Sequence, residues 1–349
     1  MPGTHRAKST VRAGTVAISA AFAIRRGVGL DELQEMCGVD GLEIMRPDAR
    51  IDAEVLARLW RGLEARFPGQ LLSLELCRVA PPSLAGEIWH GAQFARDIGE
   101  VVEFFRQNSI LLGDLLEIRI SQRADPDEVG ISISHPIDAV TQGSMTELRL
   151  GFAWRLLSEL AAEPIDLSRV EFAHGPNGAP EDYRRHFDCE VRFECPESAL
   201  IVGRQTLEMP TSQATAALFE FARSYLERCR GRLSDELVQG ELQRLVQVIR
   251  RSAASGCFDS RSVAAAAGMS LRTAQRLSSE GGESLAERIS AARADLAREA
   301  LLDPRISVAS VAHLAGYADT RSFRRAFRRW TGLTPTDFRE GADNGKRAR

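Results

Sequence analysis

The segment "DTRSFRRAFRRWTGLTP", which runs from Asp319 to Pro335, restricts the fold more than any other stretch of this sequence. On an α-helix, at about 100° per residue, its apolar side chains fall on one face: Phe323, Ala326, Phe327 and Trp330. The opposite face carries Arg321, Arg324, Arg325 and Arg328. The pattern predicts an amphipathic helix that begins near Thr320. Taken alone, such a charge run is typical of a solvated surface helix, so the flanking residues decide its role.

The residues before this helix form another helical pattern that ends in a glycine turn. Ser307 is a capping residue for a helix whose apolar positions recur at helical spacing. Gly316 then supplies the permissive backbone of a tight turn before the arginine-rich helix. A helix, a short glycine turn and a second helix with a polar outer face are typical of a helix-turn-helix.

A second copy of this pattern lies upstream, in "SRSVAAAAGMSLRTAQRLSSEGGESL". A helix from about 261 to 267 meets Gly268, and a new helix opens at Ser270, 50 residues before its counterpart at Thr320. Between the two copies, one apolar stripe predicts a linker helix: Leu285, Ile289, Ala292, Leu296 and Ala300. Pro304 ends that helix.

These residues resemble the C-terminal module of the AraC-type transcriptional regulators, in which two helix-turn-helix units share a linker helix. In the second unit and its tail the matching residues are Val308, Val311, Ala312, Gly316, Tyr317, Asp319, Ser322, Phe323, Arg325, Ala326, Phe327, Trp330, Thr331, Gly332, Pro335, Phe338 and Arg339. In the first unit they are Met269, Ser270, Arg272, Thr273, Gln275, Arg276, Gly282 and Ser284. There Ala274 and Ser278 stand where the family usually has leucines, and Leu271 and Leu277 are expected to supply the missing packing. The resemblance implies an all-α DNA-binding domain over residues 229–349.

The resemblance also implies roles for the outward side chains. Arginine pairs with guanine and glutamine with adenine in the major groove, while other arginines neutralise phosphate. The residues expected to read bases are Arg272, Gln275, Arg276, Thr320, Arg321 and Arg325. Those expected to contact phosphate are Arg324, Arg328 and Arg329. Double-stranded DNA is therefore the expected partner.

The charge of the chain is divided unevenly. The 349 residues carry a formal net charge of -3, yet the segment from Cys257 to the end holds 16 basic and 11 acidic residues. A basic module attached to an acidic body fits a polyanion-binding function. Six scattered cysteines are typical of a reduced cytoplasmic compartment, and an arginine pair directly after the short apolar run 21–23 disfavours a signal peptide. No run reaches the roughly 20 apolar residues of a membrane span, so no membrane partner is expected.

The N-terminal two thirds mixes helical and strand patterns, which predicts an α+β domain over residues 1–228. "DAEVLARLWRGLEARF" has the apolar spacing of an amphipathic helix. "LLEIRISQ" and "VGISISH" alternate like strands around "RADPDE", which predicts a hairpin. "SQATAALFEFARSYLERC" predicts a further helix with Ala217, Phe221 and Leu226 turned inward.

This region resembles the effector domain of one branch of the same family, the branch with an arabinose-regulator-type ligand-binding domain. The residues that carry the resemblance are Val170, Phe172, His174, Pro176, Tyr183, Phe187, Val191, Phe193, Leu200 and Leu207. It implies a domain for effector binding and oligomerisation. The inherited domain name does not make the ligand a sugar.

The sparse aromatic residues indicate a candidate effector pocket. They make up 6% of the chain, yet "EIWHGAQFARDIGEVVEFFRQN" and "LRLGFAWRLLSEL" concentrate them. Because ligand pockets are mostly apolar with a few polar groups, the candidate effector-binding residues are Trp89, His90, Phe94, Trp154 and Arg155. The expected effector is small and largely apolar, with any acid group facing Arg155 or His90. The alternative is that these aromatics simply form the core.

No catalytic residue, metal site or cofactor is predicted. His174, His186, Cys189 and Cys195 lie in one region, but CxxC and HExxH spacings are absent from the sequence. The pair Gly27 and Gly29 lacks the third glycine of a dinucleotide-binding turn.

The sequence as a whole predicts a cytoplasmic bacterial transcriptional regulator that responds to a small molecule and is not an enzyme. The sequence does not decide whether the protein forms a homodimer. If the protein is an activator, RNA polymerase is also an expected partner. One alternative is a DNA-targeted enzyme with its activity in the N-terminal domain, which would need a reactive cysteine or a metal cluster. Another is a ligand-independent DNA-binding protein whose first domain only dimerises.

Overall fold

The computed structural model describes residues 9–38 and 49–340, and the chain divides into two compact units between Arg232 and Leu233. In the first unit, strands β1 (Thr10–Arg12) and β2 (Arg50–Asp52) form a small antiparallel sheet. A five-stranded sheet has the order β3-β4-β7-β5-β6, and only the β5–β6 pair within it is parallel. Its strands are β3 (Glu117–Gln122), β4 (Glu128–Ser134), β5 (Leu167–Glu171), β6 (Glu190–Arg192) and β7 (Ala199–Gly203).

Ten α-helices surround or follow these strands within the described residues. They are α1 (Ala13–Arg25), α2 (Leu30–Cys37), α3 (Ala53–Arg66), α4 (Leu72–Val79), α5 (Gly86–Ala92), α6 (Ile98–Asn108), α7 (Ser144–Leu160), α8 (Pro180–Phe187), α9 (Arg204–Leu207) and α10 (Ala216–Ala254). Short 3-10 turns cover Pro82–Ala85, Ser109–Leu111 and Pro136–Val140. Across the described ranges, no helix is both long enough and apolar enough to span a bilayer.

Two patterned segments of the first unit, the hairpin and helix α3, fold as predicted. The hairpin around "RADPDE" is present as β3 and β4, where Ile118 pairs with Ile133 across the two strands. In α3 the residues Leu59 and Leu63 are fully buried, and so is Trp60 beside them. The mixed α+β architecture of this unit is therefore confirmed.

The inward face predicted for the start of α10 is wrong in two of its three residues. Leu226 is buried, but Ala217 and Phe221 are exposed. Phe219 turns inward instead, and its ring centre lies 5.0 Å from that of Phe104 in α6. Contact with α6 thus determines which face of α10 is buried. The local periodicity of α10 does not reveal this contact, because most of the helix start is exposed.

The second unit is helical. Its elements beyond α10 are α11 (Ser260–Ala266), α12 (Leu271–Glu280), α13 (Leu285–Leu301), α14 (Val308–Leu314) and α15 (Thr320–Thr331). Helix α13 contributes Leu285 and Ile289 to one apolar core and Ala297 and Leu301 to another. The first core packs α11 and α12, and the second packs α14 and α15. The predicted arrangement of two helix-turn-helix units on one linker helix is confirmed.

Candidate DNA-binding surface and effector cavity

Local hydrogen bonds define where each second helix of the helix-turn-helix units begins. Ser270 caps α12 by accepting a hydrogen bond from the amide of Thr273 at 3.1 Å. Asp319 caps α15 by accepting one from the amide of Ser322 at 2.7 Å. Gly316, in the turn before α15, has φ of 76°, a left-handed conformation that favours glycine.

The outward faces of α12 and α15 carry the predicted DNA-contacting residues. Arg272, Gln275, Arg276, Arg321, Arg324, Arg325, Arg328 and Arg329 are exposed, and Thr320 is half-buried. Arg276 donates a hydrogen bond to Glu280 one turn further along α12, at 2.6 Å. The other arginines of this set form no hydrogen bond or ion pair to protein within residues 9–38 and 49–340. Their guanidinium groups are therefore available to an external anion.

The inward face of α15 is held by aromatic packing and one anchoring hydrogen bond. Phe323 and Phe327 are fully buried, with ring centres 5.7 Å apart. Trp330 donates a hydrogen bond from its indole nitrogen to the Ser290 hydroxyl in α13 at 3.0 Å. This fixes the rotation of α15 and so directs the arginines outward.

The first helix-turn-helix unit accommodates a serine in its core by pairing it with an arginine. Ser278 is fully buried and accepts a hydrogen bond from Arg288 Nε at 2.9 Å. Arg288 also donates to the carbonyl of Gly281 at 2.7 Å. Leu277 is buried, as the sequence predicts, whereas Leu271 is only half-buried. The role of Arg288 is not visible in the sequence pattern because it depends on the crossing of α12 and α13.

A cavity of about 150 Å³ lies in the first unit. Its lining is mostly apolar and includes Leu56, Phe105, Ile118, Ile133, Phe152 and Leu156. The polar side chains in the lining are Thr15, His135 and Arg149. These residues come from helices and strands that are far apart in sequence.

The predicted effector-binding residues lie elsewhere. Trp89, Phe94 and Trp154 are half-buried against the core, and His90 is exposed. Arg155 donates hydrogen bonds to the carbonyl oxygens of Cys77 and Ala80, at the C-terminal end of α4. None of the five lines the 150 Å³ cavity. The same two aromatic-rich segments do supply Phe105 and Phe152 to it.

His135 and Arg149, which the sequence reasoning missed, set the electrostatics of the cavity wall. The imidazole accepts a hydrogen bond from the amide of Ile137 at 3.1 Å, and its other nitrogen lies 2.9 Å from the Asp114 carbonyl oxygen. Burial, together with the charge of Arg149, lowers the pKa of His135 to about 4. Arg149 pairs with Asp138, and burial lowers the pKa of its guanidinium to about 9, so it remains charged at neutral pH.

Other buried polar groups of the first unit tie its helices together. Glu147 is fully buried and accepts hydrogen bonds from Ser73 at 2.6 Å, from Asn177 at 3.1 Å and from Tyr183. Desolvation raises the pKa of this carboxyl group. Since three donors satisfy it, Glu147 links α4, α7 and α8.

The cysteines and histidines singled out in the sequence do not form a reactive cluster in the described residues. Burial raises the pKa of Cys195, and that of Cys189 to about 11, so both thiols stay protonated at neutral pH. A nucleophilic cysteine needs the opposite shift. Among the described residues, no group of three or more His, Cys, Asp or Glu side chains is arranged to hold a metal ion.

Comparison with known proteins agrees with this two-part organisation. Residues 27–211 match the family described as the arabinose-binding domain of AraC transcription regulator, N-terminal, and residues 263–341 match a helix-turn-helix domain family. The chain is 25% identical over 299 residues to the ornithine utilization regulator of Pseudomonas aeruginosa, covering 84% of this chain and 86% of that protein. It is 27% identical over 193 residues to the transcriptional regulator VirS of Mycobacterium tuberculosis, covering 55% of this chain and 56% of VirS.

Two further proteins are similar to this chain. The transcriptional activator NphR of Rhodococcus is 28% identical over 188 residues, 53% of either chain. The crystal structure of the regulator CdpR from Pseudomonas aeruginosa aligns over 94% of this chain and 98% of CdpR, with 20% identity and a TM-score of 0.46. The first family match alone covers more than half of the chain. The protein belongs to the AraC family of transcriptional regulators, with an N-terminal ligand-binding domain and a C-terminal helix-turn-helix DNA-binding domain.

Proposed function

We propose that this regulator acts in the bacterial cytoplasm, reads its operator with α12 and α15 together, and responds to a small, largely apolar molecule held in the first unit. The observation that carries the proposal is the pair of capped helices whose outward arginines, Arg276 excepted, form no hydrogen bond or ion pair with the described part of the chain. We propose the domain division of residues 1–228 for effector binding and 229–349 for DNA binding.

The two outward faces are assigned different tasks. Arg272, Gln275 and Arg276 on α12, with Thr320, Arg321 and Arg325 on α15, read base edges. Arg324, Arg328 and Arg329 neutralise phosphates and add affinity that does not depend on sequence. Two recognition helices on one linker suit two major-groove segments about 34 Å apart, on one side of the duplex.

Genome-wide mapping of binding sites in the native host tests this function. The expected result is a set of discrete sites that share a motif of two half-elements about one helical turn apart. A distribution that follows only the accessibility of the DNA would contradict the proposal. Repeating the mapping with a variant that lacks Arg321 and Arg325 should remove the sites while the protein level stays the same.

The effector is assigned to the 150 Å³ cavity rather than to the surface near Trp89 and Trp154. The cavity is mostly apolar with a few polar groups, as ligand sites usually are. A ligand there would touch β3, β4, α6 and α7 at once. It would control DNA binding only to the extent that its affinity differs between two arrangements of the protein.

We infer that the first unit senses rather than catalyses. Cys37 and Cys77 are buried, whereas Cys189 and Cys195 are half-buried. The pKa values of all four thiols are raised, chiefly because burial disfavours the thiolate. A DNA-targeted enzyme with a cysteine nucleophile would need a stabilised thiolate. Assay of the purified protein for thiol alkylation at neutral pH tests this, since a fast-reacting cysteine among these four would contradict it.

A homodimer is also proposed, through an exposed apolar stripe near the start of α10. Leu218, Phe221 and Tyr225 are 46%, 68% and 39% exposed, and they recur at helical spacing on one face. Exposed apolar patches of this kind are typical of protein interfaces, and two copies of one helix face can pair about a two-fold axis. Sedimentation of the wild type and of Phe221→Asp should give a dimer and a monomer, respectively; equal masses would contradict the assignment.

A further inference from the structure

We propose that the 150 Å³ cavity binds a compact monocarboxylate, with its apolar body among the aliphatic and aromatic side chains and its carboxylate on the guanidinium of Arg149. The inference rests on the proposed function, because it specifies the chemical class of the effector. Three features of the cavity support the assignment: its size, the polar groups in its wall and the hydrogen bonds that those groups already make.

The size limits the apolar body of the ligand. An apolar cavity of about 150 Å³ in another protein accepts a benzene ring, so this one suits a six-carbon ring or chain. A long-chain fatty acid would exceed it. The rings of Phe105 and Phe152 and the side chains of Ile118 and Ile133 would surround such a body.

The side chains in the wall of the cavity favour a negatively charged ligand. Arg149 is the charged side chain of the lining at neutral pH, since His135 is held neutral and Thr15 carries only a hydroxyl. No carboxylate belongs to the lining among the described residues. Asp114, the nearby acid, is engaged with Arg50 and Thr10. An amine in the cavity would therefore meet the guanidinium of Arg149 and no carboxylate of the lining, whereas a carboxylate would meet its complement.

Arg149 has donor capacity to offer. Its Nη2 donates to Asp138, and its buried Nε has no acceptor within residues 9–38 and 49–340, so the hydrogen bond to Asp138 uses only part of the donor capacity of the guanidinium. A buried donor without a partner is unfavourable, and a guanidinium can serve two carboxylates because it has five N–H groups. Asp138 does not line the cavity, so a ligand carboxylate would approach Arg149 from a different side.

The position of this pair links ligand binding to the fold of the unit. Asp138 accepts a hydrogen bond from the amide of His135 at 3.0 Å and so caps the 3-10 turn Pro136–Val140, while Arg149 belongs to α7. A carboxylate that shares Arg149 would weaken its pairing with Asp138. The ligand would thereby loosen the connection between this turn and α7.

Calorimetric titration of the full chain with small acids tests the proposal. Hexanoate and benzoate distinguish an aliphatic from an aromatic body. Hexanamide and benzamide keep the shape of each acid without its charge, and hexylamine carries the opposite charge. Decanoate tests the size limit. We expect at least one of the two acids to bind about 10- to 100-fold more tightly than its amide, with no binding of hexylamine and weaker binding of decanoate. Equal affinities for acid and amide would overturn the carboxylate assignment yet leave an effector cavity in place. No binding of any acid or amide would overturn both.

Two variants and a control locate the site. Arg149→Gln should lower the affinity for the acid to that for the amide, while Arg119→Gln, which alters an exposed arginine of β3, should change neither. Because Arg149→Gln also removes the pairing with Asp138, a thermal melt must show that it still folds. Ala153→Leu, which fills the cavity and keeps Arg149, should abolish binding of acid and amide alike. Wild-type acid binding by a folded Arg149→Gln protein, or by Ala153→Leu, would refute the proposal.

Discussion

The guanidinium carbon of Arg293, on the linker helix α13, lies 4.3 Å from the centre of the Phe258 ring. The same group lies 5.6 Å from the ring of Tyr317, which follows α14. Phe258 precedes the first helix-turn-helix unit and Tyr317 belongs to the second, so Arg293 bridges the two. Gly316 allows this approach, because a Cβ atom there would lie 2.4 Å from the Phe258 ring.

Replacing Arg293 by Met should therefore change how the protein tolerates the spacing of its two DNA half-elements. The variant loses a cation–π contact on each side, each worth about 0.5 to 2 kcal/mol, while keeping an apolar stem of similar reach. We expect the wild type to prefer one spacing and the variant to accept a shift of one base pair with less loss. The measurement is the dissociation constant on a set of spacing variants, and an unchanged spacing profile would show that Arg293 does not position the units.

The hydrogen-bonded Ser278–Arg288 pair stabilises the first helix-turn-helix unit. Ser278→Ala leaves Arg288 Nε without its acceptor at 2.9 Å, which should lower the free energy of unfolding by about 1 to 3 kcal/mol. Ser279→Ala, one residue along and exposed, is the matched control and should have little effect. Urea denaturation of both variants measures the difference; equal midpoints would mean that the hydrogen bond adds nothing.

The sequence predicted the helical unit well and the cavity poorly, for a physical reason. Helix caps such as Ser270 and Asp319, and the apolar spacing of α15, involve residues that are close in sequence. They can therefore be predicted from the sequence alone. The cavity wall combines Leu56, Ile118 and Arg149, which only the tertiary fold brings together. The aromatic segments contribute Phe105 and Phe152 to this cavity, whereas the five expected effector-binding residues lie outside it. Arg155, for example, binds the carbonyl oxygens at the end of α4, a contact that depends on the packing of two helices.

The stability of the first unit should fall in mild acid. Burial lowers the pKa of His135 and of His186 to about 4, below the value near 6.5 of an unfolded chain. The unfolded state therefore binds more protons between these values, so this contribution is complete above about pH 6.5 and is lost as the pH falls towards 4. His135→Asn keeps a capping oxygen and removes the titration. Its melting temperature should depend less on pH between 7 and 4.5 than that of the wild type, and parallel curves would exclude His135 as a cause.

A fragment from Cys229 to Arg349 should fold alone and bind the same operator more weakly than the full chain. Its two apolar cores, which include Leu245 and Phe327, lie entirely within it. The loss of the proposed dimer contact removes the avidity of two linked modules. Circular dichroism and the dissociation constant measure the two parts of this prediction. Matching affinity and stoichiometry for fragment and full chain would show that the first domain contributes no oligomerisation.

The most direct test of the DNA-binding account is the dissociation constant of three variants on the specific site and on random duplex, across a range of salt concentrations. Arg276→Ala and Arg325→Ala should each cost about 1 to 3 kcal/mol on the specific site and relax base preference there. Arg329→Ala should weaken binding to both duplexes similarly and lower the salt slope by about one. Arg185→Ala, which removes an exposed arginine of the first unit, should leave both affinities unchanged. Equal losses on specific and random DNA for all three variants would contradict the account.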